Sequence, residues 1–269
     1  MDGTLAIIGT GRLGEALLRG LLRSDWLQPH QVVCTARREE RCAELEREHG
    51  VKATTDNRAA VDAADVVLIA LKPQVLLTVV DALEGVFRPD QTVISVAAGI
   101  TTSAIQDAIP GEVPVVRVMT NTPVQVDAAM SVVCAGTHAG EADLAVAEEI
   151  LGHVGSVIRL GEEHLNAVTA LSGSGPAYLF LLAEAMIDAG ILLGLPRDVS
   201  TELIVQTMVG SARMLRETGS HPVELREMVT SPGGTTISAI RELESARVRA
   251  AFLDAIEAAK LRAEELSGR

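Results

Sequence analysis

Hydrophobic residues recur in two rhythms along this chain, and the rhythm changes once. Up to about residue 160, short β-branched runs alternate with amphipathic stretches of helical period. The runs Leu5–Ile8, 31–35, 66–70, 92–96, 113–118, 131–134 and 157–160 predict strands. Stretches such as Arg12–Arg23, 39–48 and 74–86 predict helices between the early ones. Such alternation predicts an α/β domain, a parallel sheet doubly wound with helices on both faces. From about residue 162 the strand-like runs cease and helical periodicity continues nearly to the end. Its punctuation falls at 172–176, 194–196, 219–222 and 231–234. The expected organisation is an α/β domain over residues 1–161 and an all-α domain over 162–269, with no internal repeat or flexible linker.

Glycines give the first half a chemistry. Gly9-Thr10-Gly11-Arg12-Leu13-Gly14 is a complete G-x-G-x-x-G that follows the first strand and opens a helix. A plain turn would also use glycine, but the strand–helix–strand setting favours a dinucleotide. Gly9 permits the tight turn, Gly11 lets backbone approach a pyrophosphate, and Gly14 lets helix pack on strand. The helix dipole and first-turn N–H groups then face the phosphates. This makes the first domain Rossmann-like. An NAD site places an acid about 20 residues further on. Here the second strand ends in Thr35-Ala36-Arg37-Arg38, with no acid before Glu39. Two guanidiniums suit a 2′-phosphate better than a solvated pair would explain them, so NADPH is expected, with NADH weaker. Lys72 and Pro73 follow the third predicted strand. Lysine occurs only at 52, 72 and 260, which singles out Lys72.

The helical half holds two small-residue segments, 171–178 and 229–236, each leading into a helix. Pro176 suits a first helical position. Hydroxyls and unpaired N–H groups at a helix N-terminus can hold a carboxylate without a charged side chain, although capping alone is the other use for each. The stretch 177–195 is too apolar all round for a surface helix of a small domain, so burial against another subunit is expected. Glu184 and Asp188 lie inside it, which argues against a bilayer span.

Charge narrows the partners. With a net charge of −13 and only five aromatic residues, the chain lacks the basic stripe and stacking platforms of a nucleic-acid binder. Local donors must hold any anionic ligand against that field. Cys34, Cys42 and Cys134 have no metal-type spacing, and no two histidines stand four apart, so no metal site is expected. An apolar strand begins by Leu5, which leaves no room for a leader and makes a cytoplasmic setting the expectation.

Taken together, these motifs resemble those of the Δ1-pyrroline-5-carboxylate reductase family, which catalyses the last step of proline synthesis. The resemblance runs through Ile8-Gly9-Thr10-Gly11, Ala70-Leu71-Lys72-Pro73 and Val96-Ala97-Ala98-Gly99. It continues through Val118-Met119-Thr120-Asn121-Thr122-Pro123 and the segments 171–178 and 229–236, of which the last two are the most specific. It implies NADP contacts from Gly9, Thr10, Gly11, Arg12, Leu13 and Gly14, then Arg37, Arg38 and Asn57. Ala70, Leu71, Lys72 and Pro73, with Val96, Ala97 and Ala98, complete that set. It also implies that Ser231, Gly234, Thr235 and Thr236 hold the substrate with Glu162 nearby, Thr236 being the catalytic hydroxyl. The other use for Thr236 is to cap a helix over 237–243. Met228 departs from the polar Asn of some relatives. A homodimer through the helical domain is implied, and a decamer of five dimers is admitted.

The inventory suits that reaction: a protonated cyclic imine accepts hydride without metal, nucleophile or strong acid. A β-hydroxyacid dehydrogenase would place a basic lysine early in the helical domain, and none lies between Lys72 and Lys260. A non-enzymatic dinucleotide sensor would have no need of a second carboxylate site.

Overall fold

Along the first strand, neighbouring side chains enter opposite cores: Leu5 and Ile7 pack into one, Ala6 and Ile8 into the other. That sorting is the signature of a sheet covered on both faces. A computed structural model describes residues 3–267. Its strands are β1 (Leu5–Ile8), β2 (Val32–Thr35), β3 (Lys52–Thr54), β4 (Val66–Ile69), β5 (Thr92–Ser95), β6 (Val115–Met119), β7 (Ala129–Ala135) and β8 (Gly155–Arg159). They form one sheet in the order β3-β2-β1-β4-β5-β6-β7-β8. Helices α1 (Arg12–Arg23), α2 (Glu39–His49) and α6 (Glu141–Gly152) supply Leu17, Leu18, Leu45, Ile150 and Leu151 to one core. Helices α3 (Asn57–Asp62), α4 (Pro73–Asp81) and α5 (Thr102–Ala108) supply Val61, Leu76, Val80 and Ile105 to the other.

Two features depart from the sequence reading. The short strand β3 has no apolar run to announce it, and it is held by its parallel pairing to β2, Val33 opposite Lys52. The sheet is also not wholly parallel: β7 runs antiparallel to β6, with Val118 opposite Val133. Only a 3-10 turn over Thr122–Val126 and a few flanking residues join these strands. A parallel return needs a crossover of about a dozen residues or more, so the chain turns back on itself instead.

Two compact units emerge: the described residues up to Ser174 together with those from Ala259 on, and Gly175–Ala258. Beyond the sheet come α7 (Leu165–Val168), α8 (Gly175–Leu192), α9 (Arg197–Thr218), α10 (Pro222–Met228), α11 (Thr235–Ser245) and α12 (Val248–Leu266). A π-helical turn over Thr169–Gly173 joins α7 to α8.

The second unit has almost no interior. Among the described residues, every buried apolar one lies at or before Ala170, and Ser200 alone is buried within Gly175–Ala258. Phe180 is 69% exposed, Leu181 68% and Leu192 88%. Helices α8 and α9 cross closely where Gly190 meets Ser200; a β-carbon at Gly190 would sit 2.6 Å from the Ser200 Oγ. Beyond that crossing, no apolar residue of either helix is buried.

Candidate functional site

The carboxyl ends of the parallel strands bring the predicted cofactor residues to one edge of the sheet. With the order β3-β2-β1-β4-β5-β6, the chain reverses direction of winding between β1 and β4, and ligands of such sheets lie at that crevice. Gly9 follows β1 with φ +87°, a conformation that favours glycine, and its N–H donates to the Thr35 Oγ1 at 3.0 Å. The Thr10 N–H donates to the Thr35 carbonyl at 2.8 Å, so the end of β2 brackets the turn. Gly11 is the N-cap of α1, without a side-chain cap, and a β-carbon built on it meets no atom within 4 Å. That open cradle below uncapped N–H groups of Arg12 and Leu13 fits a pyrophosphate. Gly14 is buried; a β-carbon there would come 2.9 Å from the Gly9 carbonyl oxygen and 3.3 Å from Ile7.

Around the cradle, the other strand ends arrive in turn. Ala70 donates its N–H to the Ile8 carbonyl at 2.9 Å, and Leu71 lies against Gly9. Lys72 is the exposed N-cap residue of α4, with Pro73 in the first turn where its missing N–H costs nothing. Val96 donates to the Ile69 carbonyl at 3.1 Å; Val96 and Ala97 are buried and Ala98 exposed. Arg37 and Arg38 lie just past β2, both exposed, Arg38 as the extended N-cap of α2. Asn57 opens α3, whose cap Asp56 accepts from the N–H groups of Arg58 and Ala59.

A pocket of about 290 Å³ adjoins the glycine turn, lined by Arg12, Leu13, Thr120, Asn121, Thr122, Val124, Gln125 and Gly173. Sequence reading quoted Asn121 in a motif but gave it no role. In the structure its amide donates to the Ser172 carbonyl (3.2 Å) and hydroxyl (3.3 Å), and its Oδ1 accepts from the Met130 N–H at 2.9 Å. Asn121 thus ties the β6–β7 turn to the π-helical turn and shapes the pocket wall.

Glu162 has a place that spacing did not reveal. Its carboxylate accepts from the Thr102 N–H (2.7 Å), the Thr102 hydroxyl (3.0 Å) and Arg117 Nη1 (2.8 Å). Arg117 is a buried guanidinium in the middle of β6, and nothing in the local pattern marks it as charged core. Burial disfavours the Glu162 carboxylate, but the bonds from Arg117 and Thr102 outweigh it and hold its pKa below the ordinary value.

In the helical unit, the two small-residue segments differ. The segment at 172–176 does not present a row of unpaired N–H groups: residues up to Gly173 are wound in the π-helical turn, and the Ser174 N–H donates to the Thr169 carbonyl at 2.8 Å. Pro176 is the second helical residue, not the first. Segment 229–236 keeps the open form. Gly233 has φ +68°, Gly234 is the extended N-cap of α11 without a side-chain cap, and Thr235 and Thr236 occupy the first turn. Thr236 is therefore not the cap; that position belongs to Gly234. Ser231 folds under it, its carbonyl accepting from the Gly234 N–H at 3.1 Å. Met228 ends α10 exposed.

Two family models match the chain. Residues 4–99 match one described as NADP oxidoreductase, coenzyme F420-dependent, and residues 162–266 match one described as pyrroline-5-carboxylate reductase dimerisation. A pyrroline-5-carboxylate reductase of Corynebacterium melassecola is 44% identical over 98% of both chains. The solved pyrroline-5-carboxylate reductase of Coxiella burnetii is 37% identical, covers 99% of both chains and superposes with a TM-score of 0.91. At 24% identity and a TM-score of 0.89, the Plasmodium falciparum pyrroline carboxylate reductase, solved with NADP bound, covers 99% of this chain and 98% of its own; it shares the fold. Sheet order, glycine cradle and helical second half define a two-domain NAD(P)-dependent oxidoreductase. The chain belongs to the pyrroline-5-carboxylate reductase family.

Proposed function

We propose that this protein reduces the cyclic imine 1-pyrroline-5-carboxylate to L-proline with NADPH, the final step of proline biosynthesis. The observation that carries the substrate end is the uncapped N-terminus of α11 behind Gly233 and Gly234. First-turn N–H groups there, with the Ser231 and Thr235 hydroxyls, would take the substrate carboxylate. In a five-membered ring the carboxylate carbon is bonded to the carbon beside nitrogen, so Thr236 is within reach of the imine nitrogen. Its hydroxyl would orient that nitrogen, and the family resemblance adds Glu162 to the substrate-side residues. NADPH, when bound, supplies the hydride. The chain's part is to hold it: the Gly9–Gly14 turn takes the pyrophosphate, Arg37 and Arg38 the 2′-phosphate, and Asn57, Ala70 to Pro73 and Val96 to Ala98 the remaining surface.

The reading extends to a homodimer built through the helical domain over 162–269, a decamer of five such dimers, and a cytoplasmic setting. The exposed apolar faces of α8 and α9 support the self-association. The run Glu162–Leu192 is long and apolar enough to cross a membrane by length and composition alone. Glu184 and Asp188 interrupt it, and a second copy of the chain is the cover its faces fit.

A panel of cyclic imines and keto acids, assayed with NADPH and NADH by loss of reduced-nicotinamide absorbance, tests the activity. Turnover is expected with pyrroline-5-carboxylate and preference for NADPH. Tight cofactor binding with no turnover of any imine would overturn the reading in favour of a sensor.

A further inference from the structure

The segment carrying Arg37 and Arg38 is fastened at both ends, on the near side through Thr35 and on the far side through side chains of α2. Thr35 brackets the glycine turn from below. One turn beyond Arg38, Arg41 reaches from α2 across to the first turn of α1, where its Nη2 donates to Glu15 Oε2 at 2.5 Å. The other oxygen of the same carboxylate meets His49 Nε2, at the far end of α2, at 3.1 Å. Arg41 also donates to Glu44 at 3.1 Å. His49 is only 11% exposed in its side chain, and Glu15 and Arg41 are near one quarter, so solvent screens this cluster little. Burial opposes the Glu15 charge, and the bonds from His49 and Arg41 outweigh it, leaving its carboxyl below the ordinary range. Glu48 approaches as well, its ligand atom within 4.8 Å of those of Glu15 and His49, but Arg41 already supplies the cation for this group. The backbones of α1 and α2 otherwise approach each other little.

By contrast, Arg37 and Arg38 are exposed and take part in no ion pair or side-chain hydrogen bond among the described residues. Two free guanidiniums recognise a phosphate well only when their backbone is already in place. We propose that Glu15 is a positioning residue for coenzyme choice: by clamping Arg41 and His49 it fixes the first turn of α2, and with it Arg37 and Arg38, relative to the pyrophosphate cradle on α1. Glu15 touches neither phosphate. The inference rests on the assignment of Arg37 and Arg38 to the 2′-phosphate.

The test compares KM for NADPH and NADH in the full-length enzyme carrying Glu15→Ala, Arg41→Ala, both together, or Arg37→Ala with Arg38→Ala. Loss of the clamp should raise KM for NADPH by about fivefold or more, the scale of one ordinary hydrogen bond, and move KM for NADH by less than about twofold. The Glu15→Ala/Arg41→Ala double variant should lose no more than either single one, since both remove the same link. Glu15→Gln, which keeps an acceptor and the packing, should fall in between and serves if the alanine variant does not fold. Equal changes for both coenzymes would make Glu15 a mere fold support. Tighter NADPH binding would make it a repelling charge. Either result overturns the proposal. If the arginine pair shows an NADPH-selective loss and Glu15→Ala does not, the clamp alone fails. If the pair shows none, the 2′-phosphate assignment falls and the clamp with it.

Discussion

Thr236 stands in the first turn of α11, where its proposed role can be separated from helix capping. Gly234 caps α11, so Thr236→Ala removes a hydroxyl from the first turn without removing a cap. We expect kcat/KM for pyrroline-5-carboxylate to fall by about 1.5–3 kcal/mol, tenfold or more, with Tm and NADPH affinity nearly unchanged. Thr236→Ser should recover most of the activity; a loss of Tm without loss of kcat/KM would return the residue to a structural role. Glu162 presents the opposite case, a carboxylate whose partners are visible. Its pKa is lowered in the folded chain, so the stability it contributes is present above its unfolded value near 4.5 and is lost as pH falls through the lower folded one. Glu162→Gln leaves the buried Arg117 short of a counter-charge and should cost about 3 kcal/mol at neutral pH, read by denaturant unfolding. Near pH 3 the gap between variant and parent should shrink. The cysteines need no chemistry: burial pushes the thiols of Cys34 and Cys134 up to about 11, so thiolate-selective reagents should leave both untouched near pH 8 until the chain unfolds.

At the scale of elements, what the sequence announced and what it hid have separate causes. β1, β2, β4 and β5 are runs of four buried residues, legible because a strand covered on both faces is mostly apolar. β3 reads Lys-Ala-Thr and exists because β2 offers it a ladder, a tertiary cause that no window of sequence contains. The reversal at β7 and the π-helical turn at Thr169–Gly173 likewise depend on lengths and partners across the fold, among them Asn121 on Ser172. The glycine cradle was legible because its backbone demands are local; the Arg117–Glu162 pair, 45 residues apart, was not. Helix α1 gives a test of such packing. A β-carbon on the buried Gly20 would overlap Val154 Cγ1 and come 3.1 Å from Asp127 Oδ1, an oxygen already without a hydrogen-bond partner. Gly20→Ala gains up to about 1 kcal/mol of helix propensity and loses about 1–3 to overpacking. A lowered Tm is therefore expected, with KM for NADPH unchanged because Gly20 lies two turns from the cradle.

For the whole molecule, the dominant fact is that one unit has a core and the other does not. The sheet unit buries its apolar residues on both faces, whereas Gly175–Ala258 leaves Leu179, Phe180, Leu181 and Leu192 open. A helical unit of this kind gains its hydrophobic stabilisation only on association. Light scattering at micromolar concentration should give at least twice the chain mass of 28.3 kDa, and a stable active monomer would refute the assignment.

The missing interior also sets an order of events in time. After dilution from denaturant the doubly wound sheet has what it needs to collapse within one chain, so cofactor binding should return at a rate independent of protein concentration. The helices that carry Thr236 must wait for a collision between chains. Recovery of catalysis should therefore lag behind recovery of NADPH binding, and the lag should shorten in proportion as the chain is made more concentrated. In a dilute preparation the enzyme would hold its coenzyme long before it could use it.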